Sequence, residues 1–157
     1  MNAHDLKNLQ ALRQLREQRA GSQLAAQRMR CRESHAALDD ARERLHQHRE
    51  AAAHEAEKLY GRFSEGLSVS AWLAAQLRLD ELESDQQALL GGIDQAHADL
   101  AHQEQARSAL QVMHAQRQRQ VEAWDDVVRQ HTQGERRAGE RREDSDDLFA
   151  PLADIAP

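Results

Sequence analysis

Nine histidines, one cysteine and three pairs of adjacent aspartates are the side chains of this 157-residue chain best equipped for chemistry. A metal held on one helix face needs ligands three or four residues apart. No two histidines have that spacing: His46 and His48 point to different faces, and His97 and His102 are five apart. They read as solvated or seam-edge side chains. Cys31 has no second cysteine to pair with, which fits a reducing compartment. It falls in a row of apolar positions, where it acts as a small hydrophobe. Asp39-Asp40, Asp125-Asp126 and Asp146-Asp147 would serve acid–base catalysis only by facing one another across a cleft. A thin helical protein offers none, so these pairs read as solvated faces. The chain carries neither a glycine-rich phosphate loop nor a nucleophile motif. The expectation is a protein with no catalytic residues, cofactor or metal, acting through protein contacts.

The elements that would position such contacts follow from composition. Charged residues make up 31% and aromatics 3% of the chain, too few large rings for a thick core. Ala, Leu, Gln, Glu and Arg dominate, all strong helix formers, and both prolines lie near the C-terminus. With a mean hydropathy of -0.88, this is the composition of a coiled coil. The net charge of -6 argues against nucleic acid as a partner. Arg28, Arg30 and Arg32 spread around a helix, with Glu33, Asp39 and Asp40 close behind. Arg136-Arg137 and Arg141-Arg142 are denser; they either dock an acidic protein surface or balance neighbouring acids. No window approaches the ~20 apolar residues of a membrane span, and the N-terminus lacks a signal-like apolar core. The expectation is a soluble cytoplasmic protein without direct membrane insertion.

Periodicity places two helices. The first is expected over about 5–60, with Asp5 as N-cap or first-turn acid. Leu6, Leu9, Leu12 and Leu15 open it on a three-residue rhythm. Leu24, Cys31, Leu38, Leu45, Ala52 and Leu59 then recur every seven residues, one row of a heptad seam. The partner row, Gln27, Ser34, Ala41, His48 and Glu55, is weak, so the seam is thin and tolerates polar residues. The segment 61–70 holds two glycines and three serines and reads as a turn, with Gly61 at the helix C′ position and Ser68 or Ser70 as the next N-cap. The second helix is expected over about 71–145. Its rows are Leu79, Gln86, Ile93, Leu100, Arg107, His114, Val121 and Val128, and Leu82, Leu89, Ala96, Gln103, Leu110, Arg117, Trp124 and His131. Gly91-Gly92 inside it reads as a tolerated weak point. Residues 146–157 read as a frayed, flexible tail. Two long helices joined by one short loop fold back on each other. The expected class is therefore all-α: an antiparallel coiled-coil hairpin over 1–145, largely monomeric, its first helix on the order of 80 Å long. A parallel homodimer is the alternative. Tyr60, Phe63 and Trp72 flank the turn and Trp124 sits near the far end, either as contact points or as caps on the seam.

These features together resemble the small coiled-coil stalk proteins of type III secretion and flagellar export, the FliJ/YscO type. The opening Leu9-Gln-Ala-Leu-Arg-Gln-Leu-Arg-Glu-Gln-Arg-Ala20 is similar to the family's leucine/arginine helix. The turn from Gly66 to Trp72 resembles the flagellar members. The strongest local likeness is Glu122-Ala-Trp124 through Glu135-Arg-Arg137, then Arg141-Arg-Glu-Asp-Ser-Asp-Asp-Leu-Phe-Ala150. The arginine-rich opening is closer to the virulence or symbiosis branch. The resemblance implies a stalk in the cytoplasm, peripheral to the inner-membrane apparatus, that enters the hexameric secretion ATPase and contacts the export gate and substrate chaperones. It implies an ATPase-binding end at Leu6, Leu9, Leu12, Leu15, Trp124, Val127, Val128, Arg136 and Arg137. It implies a gate- or chaperone-binding end at Leu59, Tyr60, Phe63, Trp72 and Leu82. A generic cytoplasmic coiled-coil scaffold or homodimeric adaptor is the competing reading. Gly91-Gly92 is a departure from the family's pattern.

Overall fold

The computed structural model describes residues 1–149. Two helices account for nearly all of them: α1 over Ala3–Glu65 and α2 over Val69–Phe149. The chain divides into two compact units, Met1–Leu24 with the chain from Leu110 on, and Ala25–Ala109. Each unit contains one stretch of α1 and one of α2. In each, contacts that rise in number along α1 fall in number along α2, so both units are antiparallel helix pairs: Gln10 meets Asp125 and Glu17 meets His114 in the first, while Gln27 meets Gln103 and Glu55 meets Arg78 in the second. The all-α class and the antiparallel pairing expected from the heptads are what each unit shows.

Helix ends show why the elements stop where they do. Asn2, not Asp5, caps α1. The Asp5 amide donates to Asn2 Oδ1 at 2.8 Å, and the Asn2 amide returns a bond to Asp5 Oδ2 at 3.3 Å, a reciprocal capping box with Asp5 as the first-turn acid. At the other end α1 runs past Gly61 to Glu65, and only Gly66–Ser68 separate it from α2, a shorter break than 61–70. Among the described residues Gly66 is the one with a positive φ, +89°. A helix ends where the backbone leaves the right-handed region, and Gly66 does so at little steric cost. Gly61 stays helical, a weak link but no terminator. Ser68 is the N-cap of α2: its Oγ accepts from the Ala71 amide at 3.3 Å, and its carbonyl accepts from the Trp72 amide at 3.0 Å. Ser70 lies inside the helix.

Beyond His131, α2 continues through Gly134 and Gly139 to Phe149, where the sequence suggested a helix to about 145. One-turn pairs help to carry it: His131 with Glu135 at 3.8 Å, Arg136 with Glu140 at 3.6 Å, and Ser145 Oγ donating to the Arg141 carbonyl at 3.0 Å. Of the tail expected at 146–157, the first residues are thus helical, and the remainder lies outside the described residues.

The core is one seam of small and medium side chains. Leu24, Cys31, Leu38 and Leu45 of the α1 row are buried, with Ala75, Leu82 and Leu100 from α2. Gln27, from the weak row, is buried as well at 3% exposure. Its Nε2 donates to the Gln103 Oε1 at 2.7 Å and the Gln103 carbonyl at 3.0 Å, so the polar group is satisfied across the seam. Gly91 and Gly92 lie in uninterrupted helix with open space where a side chain would be. Replacing both, Gly91→Ala with Gly92→Ala, should therefore stabilise the chain by about 1–2 kcal/mol through helix propensity. A thermal melt followed by circular dichroism should show a higher midpoint; a lower one would mean that α2 needs flexibility there.

Candidate functional site

Phase decides which terminal residues face outward. The α1 row through Leu24 and Cys31 extends back to Gln10 and Glu17, and the row through Gln27 extends back to Leu6, Arg13 and Ala20. Those are the seam positions of the first unit, and the leucine triplet rhythm drifts away from them. Leu6 is buried at 5%, whereas Leu12 and Leu15 stand 42% and 43% exposed, and Leu9 is half-buried. On α2, Val127 is 45% exposed and Val128 and Trp124 are half-buried at the seam. The candidates for the ATPase-binding end thus split. Leu6, Trp124 and Val128 hold the helices together, while Leu12, Leu15 and Val127 present apolar surface. Arg136 and Arg137 are exposed, Arg136 in its pair with Glu140.

The seam of this unit is polar, which the leucine rhythm concealed and an earlier start to the heptad count reveals. Gln10 Nε2 donates to Asp125 Oδ1 at 2.6 Å. The Arg13 guanidinium lies 4.7 Å from the centre of the Trp124 ring, a stacked cation that contributes ~0.5–2 kcal/mol. His114 Nε2 donates to Glu17 Oε1 at 3.0 Å, and the ring also fills the space beside Gly21. A side chain at Gly21 would press on His114 Nε2 at 3.3 Å, so the glycine gives the imidazole room. Trp124 is consequently an internal partner of Arg13.

In the second unit, the residues beside the turn also separate. Leu82 is buried at 8%, and its carbonyl accepts from His48 Nε2 at 3.0 Å, so it belongs to the seam and not to a surface. Leu59 is half-buried. Tyr60 is 60% and Trp72 48% exposed. The Tyr60 and Phe63 rings pack at 5.8 Å between centroids. Phe63 and Trp72 line an open hollow of about 440 Å³ together with Leu67 and Val69. Leu67, Val69, Leu73 and Leu77 did not stand out in the sequence, yet Val69, Leu73 and Leu77 are more than half exposed. Their signal is an apolar cluster just after the turn that the α2 seam does not absorb.

A forked ion pair clamps this end. Arg78 Nε donates to Glu55 Oε1 at 2.6 Å and Nη2 to Oε2 at 3.1 Å, while Nη1 reaches Glu81 at 3.2 Å. The bonds from Arg78 hold the Glu55 carboxyl below its ordinary value of 4.5, and Glu55 in turn raises Arg78. A depressed carboxylate adds stability that is present above its unfolded value and lost as the pH falls through the folded one. The thermal midpoint of the wild-type chain should therefore drop below pH 4.5 by more than that of Arg78→Gln, and the two should converge in acid. Parallel pH curves would show that the fork contributes nothing.

Among the described residues, no group of three or more His, Cys, Asp or Glu is placed to hold a metal ion, and no helix is long and apolar enough to cross a membrane. Comparison with known proteins finds one family model, described as Type III secretion protein YscO, which matches residues 6–146. No curated protein and no solved structure matches. The match takes in both helices, the Gly66 turn and nearly all of the arginine-rich stretch at the end of α2, and the chain belongs to the YscO family of type III secretion proteins.

Proposed function

We propose that this type III secretion component is the central stalk of its secretion ATPase. It binds the hexamer through the unit that holds the start of α1 and the later part of α2, and meets the export gate or substrate chaperones through the residues around the turn. The observation that carries this reading is the pair of exposed apolar sets: Leu12, Leu15 and Val127 in one unit, and Tyr60, Val69 and Trp72, beside the half-buried Phe63, in the other. Exposed aromatic and aliphatic groups of this kind serve as anchors in protein interfaces. The polar seam pairs join the helices to each other, so the protein works by binding and catalyses nothing itself. We place it in the cytoplasm beside the inner-membrane apparatus.

The test is ATP hydrolysis by the purified secretion ATPase from the same cell, with and without this protein. Stimulation is expected. Leu12→Asp with Leu15→Asp should weaken it about tenfold or more in half-maximal concentration, as loss of interface anchors does. Phe63→Ala with Trp72→Ala should leave it intact while reducing binding to the gate or chaperone. No stimulation and no co-purification at micromolar concentration would sink the stalk reading. A sedimentation mass near the single-chain value of 17.8 kDa is expected as well; a dimer would favour a homodimeric adaptor.

A further inference from the structure

The two flanks of the first unit differ in charge. Over residues 6–24 and 110–131 there are seven basic residues and four acids, although the whole chain is net negative at -6. Three of the acids are engaged. Glu17 holds His114 and Asp125 holds Gln10 at the seam, and Asp126 pairs with Arg129 at 3.2 Å. The fourth, Glu122, stands with Asp125 and Arg129 beside one edge of the seam. Beside the other edge the heptad places Leu9, Leu12, Arg16, Arg19 and Gln23 of α1 with Met113, Gln120 and Val127 of α2, and no acid. Arg16 and Arg19 are exposed, and with Arg117, Met113, Ala20 and Gln23 they line an open hollow of about 430 Å³. Arg117 Nη1 donates to Gln120 at 3.2 Å, and none of these three arginines forms an ion pair among the described residues.

Like charges gathered this closely repel, and an opposite charge laid against them relieves the repulsion. Arginine forks suit carboxylates, and methionine adapts its shape to an apolar neighbour. Leu12 and Met113, each more than two-fifths exposed, supply the apolar strip beside the arginines. From this juxtaposition we infer that the flank docks an acidic amphipathic helix of a partner protein. The partner's apolar side chains recur at i, i+3 and i+7 against Leu12 and Met113, and its glutamates or aspartates meet Arg16, Arg19 and Arg117. The apolar strip and the negative charge of the chain favour such a helix over a nucleic acid, whose binding needs phosphate contacts in number. Leu9, Leu12 and Val127 are shared with the proposed ATPase-binding end, so the test contains no ATPase and its outcome is independent of any stimulation of hydrolysis.

The full-length chain is titrated into a fluorescein-labelled synthetic helix with leucine at i, i+3 and i+7 and glutamate on the flanks. A scrambled peptide of the same composition and a short DNA duplex are run beside it at moderate salt. The patterned helix is expected to bind at least about tenfold tighter than the scrambled one. Arg16→Glu with Arg19→Glu should weaken it about tenfold or more with an unchanged helical melt, since both side chains are exposed. Arg16→Ala with Arg19→Ala serves if the charge reversal impairs folding, and Met113→Ala should weaken binding too. Equal binding of patterned and scrambled peptides, tighter binding of the duplex, or full affinity in the folded arginine variants would each overturn the inference.

Discussion

The antiparallel helix pairs depend on polar groups that find each other across a thin seam. With few large side chains to bury, the helices meet on rows containing Gln10, Arg13, Glu17, Gln27, His48 and Glu55. Each of these would cost stability if left unpaired in a buried place. In the structure five of them are hydrogen-bonded, to Asp125, His114, Gln103, the Leu82 carbonyl and Arg78, while Arg13 stacks on the Trp124 ring with its buried Nε left without a hydrogen bond, as is Arg107 Nε on the α2 row. A sliding of one helix by a turn within either unit would keep most alanines and leucines in contact yet strand these groups. Polar positions in a coiled-coil seam thereby specify alignment at some cost in stability.

That economy leaves apolar and basic groups outside. A seam of this width absorbs Leu24, Cys31, Leu38 and Leu45, but not Leu12, Leu15, Val127, Tyr60 or Trp72. In a protein so poor in aromatics, half-exposed rings next to the turn and a basic flank in the other unit are surface that folding does not use. Membership of a secretion family and unspent surface of this kind point the same way, towards a protein whose work is done by contact.

Much of the fold was legible in the residues because a helix is local. High propensity, prolines confined to the end and a seven-residue repeat identify two long helices wherever the rest of the chain lies. Burial falls on the heptad rows, at Leu24, Cys31, Leu38 and Leu45 of α1 and at Leu82 and Leu100 of α2. The candidate contact residues were only partly legible. Leu6, Leu9, Leu12 and Leu15 look equivalent in the sequence, yet each three-residue step turns about 60° around the helix, so that Leu12 and Leu15 stand about 120° and 180° from Leu6, which buries the first and exposes the last two. Leu82 stands in the sequence both on a heptad row and among the contacts beside the turn, and the structure buries it at the seam.

The sequence by itself determined the helical class, the heptad rows, the reduced state expected of Cys31 and the resemblance to a secretion stalk. Each of these follows from residue type and spacing along one strand of chain. The tertiary structure alone decided that Gly66 and not Gly61 makes the turn, that Gln27 pairs with Gln103 and Glu17 with His114, and that Arg16, Arg19 and Arg117 line one hollow without an acid between them. The reason is that a repeat fixes which face of a helix turns inward. Which residue of the other helix it meets depends on where the chain reverses, and that position fixes every cross-pair at once.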